Sequence, residues 1–161
     1  MDAIDTQRLR LVPLSVTDAH ALVNGHRPGA DSWADGYPTD GTLVAAGLVV
    51  TAHATEGGLG RWGVYQMVRR ADGVILGDCG FLGPPDHRGC VHVGYGLAEP
   101  ERDHDYAVEA LAALVAWARA QPEATRVLAD VAPTNLATVR VLEAAGLRRA
   151  GADDRLVYYE A

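Results

Sequence analysis

The stretch that decides the fold is Gly94–Arg119, which reads GYGLAEPERDHDYAVEALAALVAWAR. A short apolar strand ending at Ala98 runs into a polar turn, and the turn opens a long helix. Apolar residues recur on that helix at helical spacing, so one of its faces must pack on a sheet: Leu111, Leu114, Val115 and Ala118. Because the first N–H groups of a helix have no partner within it, the helix start in this turn is a potential anion site.

The segments on either side of this stretch carry strand and helix patterns in turn. Helices are predicted after the Ser15 cap, after Thr39-Asp40 to about His53, and after Pro133-Thr134-Asn135. Strands are predicted at Arg8–Leu14, Arg61–Arg70, Val74–Leu82, Cys90–Ala98, Arg126–Ala132, Leu147–Ala150 and Arg155–Glu160. The sequence therefore predicts one α/β (α+β) domain over residues 1–161, with a mixed, mostly antiparallel sheet of about seven strands flanked by about four helices.

Composition narrows the classes of function. The formal net charge is −7, so a nucleic-acid backbone is not attracted and no nucleic-acid partner is expected. All 14 basic residues are arginine, which excludes lysine chemistry such as a Schiff base. The six histidines show no metal-ligand spacing, and no metal site is predicted.

The cysteines and the N-terminus indicate a compartment. Cys79 and Cys90 fall on neighbouring predicted strands and are interpreted as reduced thiols of a cytoplasmic protein. The N-terminus MDAIDTQRLR has no apolar core, so it is not a signal peptide. No apolar run approaches the roughly 18–20 residues that span a bilayer, so no membrane contact is expected.

The turn and helix start also resemble a known family. Residues 102–111 read RDHDYAVEAL, where the GNAT superfamily of CoA-dependent N-acetyltransferases, in its ribosomal-protein-alanine acetyltransferase-like branch, usually has Arg-Gly-x-Gly-Tyr-Ala-x-Glu-Ala-Leu. The frame matches, but Asp103 and Asp105 replace both glycines. The predicted order of elements also matches the GNAT fold, so the resemblance covers nearly the whole chain.

The resemblance implies acetyl-CoA as co-substrate, with its pyrophosphate at this degenerate loop. The implied cofactor-binding residues are Tyr95, Leu97, Ala98, Arg102, Asp103, His104, Asp105, Tyr106, Ala107, Asn135 and Thr138. A unit charge about 4 Å from a phosphate costs on the order of 4 kcal/mol at an effective dielectric near 20, so Asp103 and Asp105 would oppose the anion. Alternatively the two aspartates cap the helix, swing outward, or are neutralised in part by Arg102.

The family's other signatures imply catalytic residues. His92 stands where relatives usually have a glutamate that points toward the acceptor amine, and a histidine there is either a base or an ordinary strand residue. Asn135 and Thr138 match the Asn-x-x-Ser signature, with Thr138 near the thiol, or else Asn135 or Thr134 simply caps a helix. Leu142 occupies the position of a tyrosine that acts as general acid in many relatives, so water or Thr138 would have to fill that role.

The resemblance also implies that the loop between the first two helices covers the acceptor site. Trp33, Asp35 and Tyr37, together with Trp62, would form a small apolar pocket with one acid for an amine, or would only pack as loop aromatics.

The resemblance and the departures from it therefore imply two alternative functions. The first is transfer of an acetyl group from acetyl-CoA to a primary amine of a small molecule or protein N-terminus, by a monomer or homodimer. The second is a GNAT-fold protein that no longer uses acyl-CoA and binds a small molecule or runs other chemistry in the same cleft.

Overall fold

The computed structural model describes residues 2–28 and 32–161. Its helices are α1 Val16–Val23, α2 Asp40–Glu56, α3 Tyr106–Arg119 and α4 Leu136–Ala144. Its strands are β1 Ile4–Asp5, β2 Leu9–Pro13, β3 Val64–Arg69, β4 Ile75–Phe81, β5 Cys90–Leu97, β6 Arg126–Val131, β7 Arg148–Ala152 and β8 Val157–Glu160. The predicted order of strands and helices is confirmed.

The strands form one sheet in the order β1-β2-β3-β4-β5-β6-β8-β7. Among the pairs of strands in the described part of the chain, only β5 and β6 are parallel, so the sheet is mixed and mostly antiparallel, as predicted. The eighth strand is β1, whose two residues pair with Leu11 and Arg10. A strand of two residues is too short to show a hydrophobic period, so the sequence alone indicates about seven.

Helices cover both faces of the sheet. Asp78 of β4 bonds to Thr42 of α2, whereas the ring of Phe81 lies 5.5 Å from that of Trp117 of α3. Residues an odd number apart on a strand point to opposite faces, so α2 and α3 lie on opposite sides of the sheet. Leu111 and Leu114 of α3 are fully buried, as the helical spacing predicts.

Local signals explain where the helices begin and end. The Ser15 hydroxyl accepts from the Asp18 N–H at the start of α1, and Thr39 forms a capping box with Thr42 at the start of α2. Helix α2 continues past His53 to Glu56, because the left-handed conformation that ends it belongs to Gly57, with φ 76°.

The sheet opens between β5 and β6. Their pairing covers Cys90–Arg126, Val91–Val127 and His92–Leu128 and then stops, although β5 continues to Leu97. Beyond His92, β6 stays paired with β8 while the facing edge of β5 has no strand partner among the described residues. This divergence creates the space in which the candidate site lies. None of the helices in the described residues is long and apolar enough to cross a membrane.

Candidate active site

A cleft of about 580 Å³ lies where β5 and β6 diverge, between the start of α3 and the start of α4. Nine of the eleven residues that the resemblance implied for the cofactor line it: Tyr95, Leu97, Arg102, Asp103, Asp105, Tyr106, Ala107, Asn135 and Thr138. The other two do not. Ala98 is fully buried and bonds through its N–H to Leu76, and His104 turns its carbonyl to Arg8.

The turn before α3 keeps a backbone conformation typical of glycine. Asp103 has φ 72° and Asp105 has φ 60°, and they are the only non-glycine residues with positive φ in the described chain. Aspartate tolerates this left-handed region better than most residues because its short side chain bonds locally. The aspartates therefore preserve the path that glycines would give the loop.

The start of α3 presents free N–H groups to the cleft. Asp105 is the N-cap residue, but its side chain makes no capping hydrogen bond. The capping interpretation of the aspartates is therefore wrong for Asp105. The first helical bond runs from the Glu109 N–H to the Asp105 carbonyl, and the Tyr106, Ala107 and Val108 N–H groups donate to no described residue. Such groups, together with the helix dipole, favour a bound anion.

A network behind the loop fixes its position. Glu109 accepts hydrogen bonds from the Thr6 hydroxyl and the Arg8 N–H, each at 2.6 Å, and from Arg8 Nε at 2.7 Å. Arg8 also donates to the His104 carbonyl at 2.9 Å, and its guanidinium lies 4.5 Å from the centre of the Tyr106 ring. Burial opposes ionisation of Glu109, yet these donors hold its pKa below the usual range.

The charges that line the cleft balance. Arg102 and Arg140 are opposite in sign to Asp103 and Asp105, and all four are exposed. Arg102 donates to the Leu97 carbonyl at 3.3 Å and does not pair with either aspartate. Arg140 is absent from the residues predicted from the sequence, although it falls one helical turn after Ala137, which lines the same cleft.

Two hydroxyls meet inside the cleft. The Tyr95 hydroxyl donates to Thr138 Oγ1 at 3.2 Å, which joins β5 to the first turn of α4. Asn135 Oδ1 accepts from the Thr138 N–H at 3.2 Å, so Asn135, and not Thr134, caps α4 while also lining the cleft. Leu142 is buried and lies outside the cleft lining.

His92 lies away from the cleft. It is the last residue of β5 that pairs with β6, its side chain is 45% exposed, and its Nδ1 is 3.9 Å from Asp130 Oδ1. It lines none of the described cavities. The structure therefore gives His92 the surroundings of an ordinary surface strand residue.

The predicted aromatic acceptor pocket is not assembled. Trp33 and Tyr37 meet edge to face with ring centres 5.1 Å apart, and Asp35 is exposed. Trp62 instead packs against Phe81 and Trp117, in the core beneath α3. The four residues do not line a common cavity in the described chain.

Asp78 is a buried carboxylate that the sequence motifs do not single out. It is 6% exposed, and one oxygen accepts a hydrogen bond from the Thr42 hydroxyl. Burial raises its pKa to about 6, with the Thr42 bond acting in the opposite direction. The sequence feature that could have identified it is a single acidic residue inside the otherwise uncharged predicted strand Val74–Leu82, VILGDCGFL.

Comparisons with known proteins agree with this architecture. The sequence profile of the acetyltransferase (GNAT) domain matches residues 8–148. The chain is 28% identical to an uncharacterised N-acetyltransferase, YjdG, of Bacillus subtilis (strain 168), over 91% of this chain and 89% of that protein.

Solved structures share the fold at lower identity. An acetyltransferase from Agrobacterium tumefaciens str. C58 superposes with TM-score 0.70 at 23% identity, over 100% of this chain and 94% of that one. The ribosomal L7/L12 alpha-N-protein acetyltransferase RimL, solved in complex with coenzyme A, superposes with TM-score 0.70 at 16% identity, over 99% and 97%. Because the family profile spans most of the sequence, the chain belongs to the GNAT family of acetyltransferases.

Proposed function

We propose that the protein transfers an acetyl group from acetyl-CoA to a primary amine of a small molecule or a protein N-terminus. The observation that carries this proposal is the turn at residues 102–105, which keeps a glycine-like backbone and leaves the first N–H groups of α3 free beside a large cleft. Residues at positive φ cluster at ligand-binding sites, so the two aspartates beside free N–H groups support a bound anion at this turn.

The cleft residues fit the parts of CoA. The N–H groups of Tyr106, Ala107 and Val108 would hold the pyrophosphate, with Arg102 and Arg140 offsetting the aspartates. The unpaired edge of β5 near Tyr95–Leu97 would bind the pantetheine arm through its backbone and polarise the thioester carbonyl. Asn135 lines the far wall of the cleft from the start of α4.

The Tyr95–Thr138 pair would supply the proton that the leaving thiolate needs. Both hydroxyls lie in the cleft, and Tyr95 already donates to Thr138. Leu142 is buried and apolar, so it cannot donate a proton. This assignment keeps Thr138 in the catalytic role predicted from the sequence and gives the acid role to a strand residue.

A second candidate function is supported by the two carboxylates in the same cleft. Asp103 and Asp105 line it without an ion pair to a described basic side chain, which opposes an anionic ligand. In that case the cleft would hold an uncharged or cationic small molecule, and the GNAT fold would serve another purpose.

Calorimetric titration with acetyl-CoA separates the two functions. We expect saturable binding in the micromolar range, followed by release of free CoA thiol when a primary amine is added. Desulfo-CoA is the matched control, because it carries the pyrophosphate without a reactive thioester. Absence of heat with both ligands at millimolar concentration would contradict acetyl transfer and favour the second function.

A further inference from the structure

A second cavity of about 190 Å³ lies against β4 and β5 beneath α2. Its walls are apolar, with Leu48 of α2 and the strand residues around Phe81. Val44 and Leu82, which are 76% and 62% exposed, flank its mouth. Large apolar side chains at such exposure beside an open cavity favour contact with an apolar ligand.

Asp78 is the only charged residue among the described residues that line this cavity. Its side chain is almost wholly buried, and while one oxygen bonds Thr42, Oδ1 accepts no hydrogen bond from any described residue. All fully buried polar side-chain atoms of the described residues have partners, so Oδ1 must reach the cavity. A buried carboxylate oxygen without a donor favours a cationic partner.

The described groups packed around Asp78 supply no positive charge. Tyr37 and Gln66 lie on its own side, with the Gln66 amide donating to the Tyr37 hydroxyl at 3.2 Å. Burial raises the pKa of Tyr37 to about 12, and the Asp78 charge adds to that rise, so the phenol stays neutral. Burial likewise raises the pKa of the neighbouring Cys79 thiol. The carboxylate is thus the one group in this described cluster that changes charge near neutral pH.

The small cavity and the large cleft meet at β5. Tyr95 and Gly96 line both, and Asp78 stands opposite Gly96 in the strand register. A Cβ built on Gly96 would lie 3.8 Å from Asp78 Oδ1, so only the backbone of β5 separates the carboxylate from the cleft. Gly94 is more open than Gly96, since a Cβ placed there would have no atom of the described chain within 4 Å beyond its own neighbours.

We propose that this cavity binds the acceptor as a primary alkyl ammonium with an apolar substituent, and that Asp78 is the catalytic base that takes its proton. The inference rests on the proposed acetyl transfer and names the acceptor class and the base of that site. The ammonium nitrogen lies beside Oδ1 and the alkyl group lies between Val44, Leu48 and Leu82. A second positive charge on the acceptor would find no partner on the described walls.

The proton balance is complete. Asp78 removes one proton from the ammonium, and the freed nitrogen lone pair forms a C–N bond with the thioester carbonyl carbon as the C–S bond breaks. The nitrogen then loses a second proton, which replaces the proton that the Tyr95 hydroxyl gives to the departing sulfur. The products are the N-acetylamine and the CoA thiol, and Asp78 returns its proton to solvent.

The test uses isoamylamine as the probe, with acetyl-CoA saturating and CoA thiol release as the readout. For the wild-type protein, kcat/KM should rise with pH and level off above the Asp78 pKa of about 6; this rise is the acid limb of the pH profile. In Asp78→Asn, which keeps the shape and an acceptor for Thr42, kcat/KM should fall about 100-fold or more and that limb should vanish. An Asp78→Asn protein with the wild-type rate and limb would overturn the inference.

A binding readout separates this inference from the proposed function. The ¹³C carboxyl resonance that is absent in Asp78→Asn identifies Asp78, and isoamylamine without acetyl-CoA should lower its titration midpoint. No change in that midpoint would overturn the inference even if acetyl transfer is active. A shifted midpoint in a wild-type protein that transfers no acetyl group would contradict the proposed function and the catalytic role of Asp78, and would leave only the ammonium site beside it.

Acceptor selectivity gives a test that leaves Asp78 in place. Val44 is exposed on α2, so Val44→Glu adds a carboxylate at the mouth of the cavity without touching the core. The ratio of kcat/KM for cadaverine to that for isoamylamine should rise about fivefold, since one solvent-screened charge contributes about 1 kcal/mol. Val44→Gln is the uncharged control. An equal ratio in the two variants would contradict binding of the acceptor in this cavity.

Discussion

The large cleft and the small cavity lie on either side of the same strand and treat charge in opposite ways. The cleft carries two arginines and two aspartates, all exposed, and offers an anion the backbone N–H groups of α3. The cavity carries one carboxylate, almost wholly buried, and no compensating charge among its described lining residues. An anion in the cleft is therefore selected by the placement of backbone N–H groups, whereas a cation in the cavity is selected by the single side chain of Asp78.

This difference sets how each region responds to substitution. Exposed charges around the cleft are screened by water, so each contributes little and they partly cancel. The buried carboxylate lies in surroundings of low dielectric constant, so its protonation changes the free energy of unfolding as well as its ability to accept a proton. Substitutions that vary one region at a time therefore test the contrast directly.

The largest expected effect is the dependence of stability on Asp78 ionisation. A pKa raised from 3.8 to about 6 corresponds to about 3 kcal/mol. Because the folded state keeps this proton longer than the unfolded state, the contribution of Asp78 to the free energy of unfolding falls as pH rises between about 4 and 6 and is level above. Urea unfolding from pH 4 to pH 7.5 should show this fall as the difference between the wild-type protein and Asp78→Asn, because carboxylates with lowered pKa values, such as Glu109, contribute the opposite slope to both.

Asp78→Asn should lack this fall and should be the more stable protein at pH 7.5. Asp154→Asn, which changes an exposed turn carboxylate, should keep the wild-type dependence. Equal curves for wild type and Asp78→Asn would mean that Asp78 is not held in a desolvated site, and the contrast between the two regions would be lost.

The next effect concerns the hydroxyl pair at the boundary of the two regions. Tyr95→Phe removes the donor to Thr138 and should lower kcat about 100-fold, within the usual range for a positioned proton donor. The acetyl-CoA dissociation constant should change less than twofold, because the ring remains. Single-turnover thiol release checks the rate, and an unchanged kcat would return the acid role to Thr138 or water.

Much of the fold can be predicted from the sequence, because local helix and strand patterns agree with the way the elements pack. The period of α3 and the caps at Ser15 and Thr39 each indicate an element that the structure contains. Trp62 shows the limit, since its strand pattern is interrupted by a 3-10 turn at Gly60–Trp62 that turns its ring into the core. Tertiary packing, and not the local pattern, decides its place.

The sequence predicts only those parts of the candidate site that the path of the backbone determines. The frame of residues 102–105 identifies the turn, but it does not predict the positive φ of Asp103 and Asp105, because those residues also suit a helix cap. The family motif favours His92, whereas Asp78 acquires its properties from burial by α2, which no sequence motif records. Burial and register across strands are long-range properties and need the structure.

A third, smaller effect is expected in the cleft. Asp103→Gly with Asp105→Gly should strengthen acetyl-CoA binding about 30-fold, since two solvent-screened charges about 4 Å from phosphate oxygens contribute about 2 kcal/mol. Asp103→Asn with Asp105→Asn is the matched variant, because asparagine also tolerates positive φ and removes only the charge. Calorimetry should show the same gain for both pairs. A gain for glycine alone would assign the effect to backbone freedom, and no gain for either would remove the electrostatic argument.

The smallest expected effect belongs to Arg140, which only the structure places in the cleft. Arg140→Gln should weaken acetyl-CoA binding about fivefold, because one exposed charge contributes about 1 kcal/mol. Raising the salt concentration to about 1 M shortens the screening length to about 3 Å, so the difference from wild type should then disappear. Arg148→Gln removes an exposed arginine of β7 outside the cleft and should bind acetyl-CoA as wild type does. A loss that persists at high salt would show that Arg140 acts through a direct contact with the ligand, and the cleft would then depend on a side chain as the cavity does on Asp78.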